Sequence, residues 1–282
     1  MSPSTEPPPR RDRPDRAPRR IVSLVPSLTE ALFSLGLGDR VVGVTQWCVH
    51  PADGVRGLPK VGGTKTPDRA AIEALAPDLV IANREENRKR DVERLEAAGL
   101  RVWLTDPRTV ADGVALLAEI AALGADTERR ERVLEPVRRA YEAAATDAPA
   151  RRPRTFCPIW KEPWMTVGAD TYAHDLLHLC GADNVFAEAG DRRYPLVSEE
   201  KIVAAAPEVI VLPDEPYAFG PRDAVELGRL PVPAAEEGRI HLIDGTLVSW
   251  YGPRIGQAIG QLRRLLRVPV AGPEGTGPGS IG

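Results

Sequence analysis

The second half of this chain repeats the first. Ile72-Glu73-Ala74-Leu75-Ala76-Pro77-Asp78-Leu79-Val80-Ile81 returns as Ile202-Val203-Ala204-Ala205-Ala206-Pro207-Glu208-Val209-Ile210-Val211, at an offset of 130 residues. Arg101-Val102-Trp103-Leu104-Thr105-Asp106 then returns as Arg239-Ile240-His241-Leu242-Ile243-Asp244, at an offset of 138. Each half therefore carries the same order of parts: a helix ending before proline, a buried strand, a helix and a strand. A duplicated unit of this kind builds two similar lobes, and small ligands usually bind in the cleft between lobes.

The repeat has a physical reading. A residue before proline is pushed out of the helical region, so the alanine-rich stretches should stop at Ala76 and Ala206. Leu79 to Ala82 and Val209 to Leu212 are continuous apolar runs, which suit parallel strands covered on both faces. The predicted fold class is α/β: two similar lobes with parallel sheets, joined by one long rigid helix. The joining helix is read over 126–147, where Val133, Val137, Tyr141 and Ala144 share one face. Such a helix is about 30 Å long, enough to run across the backs of two lobes, with Pro136 as a kink point.

The predicted boundaries are a Pro/Arg-rich disordered tail over 1–19, an N-terminal lobe over 20–125, the connecting helix, a C-terminal lobe over 152–268 and a second disordered tail over 269–282. Residues 1–20 hold six prolines and six arginines but neither the apolar core of a secretory signal nor a cysteine for lipid attachment, so a cytoplasmic location is expected. With 282 residues, 43% of them hydrophobic, each lobe can bury its own core. A net charge of −3 speaks against a nucleic-acid partner. No apolar run approaches the length of a membrane span. Cys48, Cys157 and Cys180, without CxxC spacing, make neither a disulfide framework nor a zinc site. A monomer is expected.

In open α/β sheets, ligands sit beyond the carboxyl ends of the strands. That rule selects Pro26, Ser27, Trp47, Lys65, Asn83 and Arg84 in the first lobe, and Trp160, Trp164, Tyr217, Trp250, Tyr251 and Arg254 in the second. Four of the five tryptophans fall in these loops, with Trp103 in a strand. Aromatic faces suit a large flat ligand such as a corrin or an aryl siderophore. Lys65, Arg84 and Arg254 are expected at the rim, pairing with carboxylate or phosphate groups. Ser27 is read as a helix N-cap, with Glu30 completing a capping box.

Two constellations point instead to a metal-dependent enzyme. His174 and His178 lie four apart on one helical face, and Cys48 lies beside His50. Neither has a third partner in the sequence, and no P-loop, GxSxG or post-strand GxGxxG is present. A surface histidine pair, a buried thiol and a protein without catalysis, cofactor or metal are expected.

Four segments carry a family resemblance: Arg20 to Glu30, Ile72 to Ile81, Trp164 through Phe186, and Tyr251-Gly-Pro-Arg254. In these the chain resembles the helical-backbone substrate-binding proteins of ABC importers for cobalamin and iron-siderophores. The resemblance implies two lobes with little closing motion, a corrinoid or ferric siderophore in the cleft, and docking on importer membrane subunits. Cobalamin-binding members dock through one surface glutamate per lobe. Glu200 matches the second, whereas the first falls on Ala70; where those members place a tryptophan against the corrin, this chain has Asn83. A cytoplasmic corrinoid carrier or sensor on the same fold is the alternative.

Overall fold

The computed structural model describes residues 16–147, 149–190 and 193–267. Apart from 16–19, the two tails expected over 1–19 and 269–282 lie outside the described residues. The N-terminal lobe runs β1 (Ile21–Ser23), α1 (Pro26–Ser34), β2 (Val41–Val44), α2 (Ala52–Val55), α3 (Arg69–Ala74), β3 (Leu79–Asn83), α4 (Lys89–Ala97), β4 (Val102–Thr105) and α5 (Val110–Ala121). Helix α6 (Thr127–Thr146) follows. The C-terminal lobe runs β5 (Arg154–Phe156), β6 (Pro158–Trp160), β7 (Met165–Thr166), α7 (Tyr172–Leu179), β8 (Asp183–Asn184), α8 (Glu199–Ala205), β9 (Val209–Pro213), α9 (Pro221–Leu227), α10 (Pro233–Glu236), β10 (Ile240–Ile243), α11 (Thr246–Ser249) and α12 (Ile255–Leu266).

The two main sheets have one topology. Strand order is β2-β1-β3-β4 in the first and, read from the matching edge, β8-β5-β9-β10 in the second, with every pairing parallel. Val80 pairs with Val102 and Ile210 with Ile240, which are the residues that the two sequence echoes equate. The equivalence extends to the ends of the elements. Asp68 caps α3 by accepting the Ala71 N–H, and Ser198 caps α8 by accepting the Lys201 N–H. Both helices stop before proline with an alanine in the left-handed region, Ala76 at φ 44° and Ala206 at φ 43°.

The acid after each proline has a job in this scheme. Asp78 accepts the backbone N–H groups of Arg19 at 2.7 Å and Arg20 at 2.9 Å, and Glu208 accepts that of Arg154 at 2.8 Å. The Arg20 and Arg154 guanidiniums in turn donate to the last carbonyls of the preceding helices, at Leu75 and Ala205. Both ends of each helix-to-strand step are thereby satisfied, which is what exposed helix termini require.

Helix α6 packs on α5 of one lobe and α12 of the other. Its buried stripe is Leu134, Val137 and Ala144, with Val133 and Tyr141 at the edge, so the inward face is turned slightly from the one the spacing predicts. The helix continues through Pro136. The largest core cluster is shared: Ile21 and Leu117 from the first lobe, Leu134 and Val137 from α6, and Leu176 and Leu262 from the second are all members. Smaller clusters around Val22 and Leu95, and around Phe156 and Trp164, fill the outer side of each sheet.

Two local expectations are corrected. Ser27 does not cap α1; the N-cap is Val25, Pro26 supplies the preset first turn, and Ser27 is buried. Glu30 is drawn away to Arg254 instead. Trp160, expected in a loop, lies in a strand, because β6 leaves the parallel sheet to pair antiparallel with β7. The last helix begins at Ile255, after Pro253.

Candidate functional site

The carboxyl ends of the two sheets face each other across a cleft of about 620 Å³. From the first lobe come Pro26 after β1, Trp47, Val49 and His50 after β2, Thr64 and Lys65, and Glu85 and Glu86 after β3. From the second come Ile159, Val167, Tyr172, Tyr194, Glu215 after β9, and the stretch Thr246 to Tyr251 after β10. Of the residues selected from sequence, Pro26, Trp47, Lys65, Trp250 and Tyr251 line it.

Its walls are aromatic. Trp47 stands 59% exposed at the mouth, on the first lobe. Trp250 is only 8% exposed, with the Arg254 guanidinium 4.9 Å from its ring centroid and His50 edge-on at 5.8 Å. Tyr251 and Tyr172 meet edge to face at 5.5 Å, and burial drives both phenols well above their usual pKa.

Carboxylates set the charge. Glu85 and Glu215 are equivalents in the repeat, each two residues beyond the strand end of its lobe. Glu86 adds a third acid beside them. Burial raises the Glu86 pKa; Lys65 opposes this, and Glu215 and Glu85 add to it. Burial also raises Glu215, against a 2.8 Å hydrogen bond donated by the Ser249 hydroxyl. Lys65 is the one lysine or arginine among the described residues lining the cleft, and its ammonium donates to the Glu85 carbonyl.

The other selected residues lie elsewhere and act on the site indirectly. Asn83 is 1% exposed; its Oδ1 accepts the N–H groups of Glu85 at 2.8 Å and Glu86 at 3.3 Å, so it shapes the turn that presents both acids. Ser27 is buried in α1. Arg84 pairs with Asp106 at 3.1 Å, and Arg254 is held by both oxygens of Glu30 at 2.8 and 2.9 Å. Two of the three rim cations expected to meet ligand acids, Arg84 and Arg254, are thus occupied by the protein's own acids, and Lys65 alone faces the cleft. Trp164 is a core residue stacked on Phe219, and Trp160 packs edge-on against Tyr217 beside the cleft. Glu200 is exposed in the first turn of α8, and Ala70 holds the equivalent place on α3.

Ion pairs tie the lobes together at both sides of this cleft. Arg254 of the second lobe holds Glu30 of the first; Arg108 reaches Asp170 at 2.9 Å, and Arg193 reaches Glu85 at 2.7 Å. Sequence reasoning missed Glu85, Glu86 and Glu215 because each sits in a charged loop that reads as ordinary solvated surface. The signal was the repeat itself, which sets Glu85 and Glu215 at the same offset as the strands before them.

Of the pairs that hinted at chemistry, His174, His178 and Cys48 lie outside the cleft, and His50 alone lines it. His174 and His178 stack at 6.2 Å on α7, and His174 Nδ1 meets the Asn184 amide at 3.1 Å. Cys48 is 1% exposed and accepts the Thr29 hydroxyl at 3.2 Å; burial raises its pKa despite hydrogen bonds with Thr29 and Thr45 that lower it. Among the described residues no three His, Cys, Asp or Glu side chains are grouped to hold a metal ion, and no helix is long and apolar enough to cross a membrane.

Comparison with known proteins bears on all of this. The family model for periplasmic binding proteins matches residues 21–242. A vitamin B12-binding protein of Yersinia pseudotuberculosis serotype O:3 (strain YPIII) is 30% identical over 200 residues, 71% of each chain. The solved periplasmic heme-binding protein of Roseiflexus sp. RS-1, in its apo form, superposes with a TM-score of 0.74 at 27% identity, over 88% of this chain and 97% of that one. The periplasmic vitamin B12 binding protein of Vibrio cholerae has the same fold, with a TM-score of 0.75 at 22% identity over 89% of this chain and 97% of its own. The family match and these relatives overturn the cytoplasmic location expected from residues 1–20: proteins of this kind work outside the cytoplasm.

Proposed function

The chain belongs to the periplasmic binding protein family, and on that premise we propose that its interlobe cleft holds a corrinoid, which it delivers to the membrane subunits of an ABC importer. The relatives are binding proteins rather than enzymes, which supports a role without catalysis. Those named above bind vitamin B12 or heme, so the choice of ligand rests on the cleft.

The observation that carries the choice is an aromatic cleft lined by Glu85, Glu86 and Glu215, with Lys65 as its lysine or arginine. A corrin offers a broad apolar face for Trp47, Trp250 and Tyr251, and a periphery of neutral amides that donate hydrogen bonds to carboxylates. Heme presents two propionates, and anionic catecholate siderophores present more charge of the same sign. Bringing those groups against half-buried carboxylates leaves like charges facing in a space of lower dielectric than water. Heme retains one observation in its favour: His50 and Tyr194 line the cleft and are ligand types that coordinate heme iron.

In this reading Glu200 is a docking contact for the importer. It lies exposed on the first turn of α8 and does not line the cleft. Equilibrium dialysis of the purified protein against cyanocobalamin, hemin, a ferric hydroxamate and a ferric catecholate tests the ligand directly. Retention of cyanocobalamin is expected. Retention of hemin alone would overturn the corrinoid reading in favour of axial ligation by His50 or Tyr194, and retention of a ferric siderophore alone would overturn it too.

A further inference from the structure

The repeat sets Glu85 of one lobe and Glu215 of the other at the same offset from their strand ends, and Glu86 stands between them electrostatically, opposed by both. The three acids differ in how they are satisfied. Glu85 is paired with Arg193 at 2.7 Å, and Glu215 accepts the Ser249 hydroxyl. Among the described residues nothing donates a hydrogen bond to the Glu86 carboxylate. Lys65 turns its ammonium to the Glu85 backbone carbonyl. Arg84 and Arg254, the other cations near the rim, are held by Asp106 and Glu30. With Glu85 paired to Arg193, the cleft still sets two carboxylates, Glu86 and Glu215, against the one ammonium of Lys65 between aromatic walls, so a ligand cation would be attracted more strongly there than in water.

Corrinoids differ in net charge by chemistry that this cleft can sense. The corrin ring is a monoanion around trivalent cobalt. With one cyanide bound, a corrinoid without its nucleotide carries a single net positive charge. The nucleotide phosphate of cyanocobalamin cancels that charge, and so does a second cyanide on cobalt.

We propose that Glu86 and Glu215 are specificity-determining residues that make this cleft prefer a net-cationic corrinoid, one without the nucleotide phosphate, over the neutral complete cofactor. This rests on the corrinoid reading above and deepens it. Glu86 meets the ligand from the first lobe and Glu215 from the second, so the charge is felt only in the assembled cleft. A carboxylate several ångströms from a cation in a partly buried site changes affinity by about tenfold or more. Because the attraction acts through a partly water-filled cleft, raising the salt concentration weakens the preference.

The test is tryptophan-quenching titration with aquocyanocobinamide, dicyanocobinamide and cyanocobalamin, using the full chain and the variants Glu86→Gln, Glu215→Gln and their combination. Gln keeps the size and loses the charge, and an unchanged unfolding midpoint confirms each fold. Aquocyanocobinamide is expected to bind about tenfold or more tighter than either neutral corrinoid. That ratio should fall in each single variant and approach unity in the double variant. Equal binding of all three by the unaltered protein, or a ratio untouched by the double variant, would overturn the proposal and leave the corrinoid reading standing. Binding of none would remove the corrinoid reading itself, and this proposal with it.

Discussion

Glu208 shows how much of this architecture hangs on single side chains at helix-to-strand steps. Burial raises its pKa, but the Arg154 N–H and the Arg151 guanidinium outweigh that and hold it below the ordinary value. A carboxylate with a depressed folded pKa contributes stability above its unfolded pKa and loses it as pH falls through the folded one. Glu208→Ala should therefore cost about 1 kcal/mol at neutral pH. In urea denaturation the gap should close in acid; a gap that stays constant with pH would contradict this role. Gly245 is a second such point. A Cβ there would lie 2.5 Å from the Glu215 backbone nitrogen, so the β9 loop can sit where it does only against a glycine. Gly245→Ala should cost about 1–3 kcal/mol in unfolding free energy, as overpacking does. It should also weaken ligand binding, because the backbone that must yield carries Glu215.

At the scale of elements, the duplication makes α3 and α8 counterparts, capped by Asp68 and Ser198 and carrying Ala70 and Glu200 at matching exposed positions. In the transport reading, Glu200→Ala should reduce binding to reconstituted importer membrane subunits and leave ligand affinity within about twofold, since it lies off the cleft. Ala70→Glu should strengthen the same binding; no change in either variant would remove these helices from the docking surface. The elements were legible in the sequence where patterns are local. Proline-stopped helices, the continuous apolar runs of β3 and β9, and a long amphipathic α6 follow from a few neighbouring residues, and the echoes reproduced the strand register. The site was legible only as loops at strand ends. Which side chain of a loop enters the cleft depends on partners distant in sequence. Asp106 and Glu30 take Arg84 and Arg254 out of play, Phe219 takes Trp164 into the core, and Asn83 turns inward to hold the loop that exposes Glu85 and Glu86.

For the whole molecule, the shared core is the dominant fact. Apolar side chains of both lobes and of α6 form one cluster, and ion pairs tie the lobes at both sides of the cleft. The lobes should then unfold as one unit. Denaturation curves followed through Trp103 in the first lobe and Trp164 in the second, in variants retaining only one of them, should coincide; two separated transitions would show independent lobes. A cleft built on such a base is largely preformed, which limits the conformational cost of binding. The most direct measurement is a fluorescence titration of the purified protein with cyanocobalamin and, separately, with hemin, repeated on Trp250→Ala. Saturable quenching by the corrinoid at one equivalent, weakened at least about tenfold by the substitution and not matched by hemin, is the predicted result. Saturable binding of hemin without cyanocobalamin, or corrinoid binding indifferent to Trp250, would contradict a corrinoid held in this cleft.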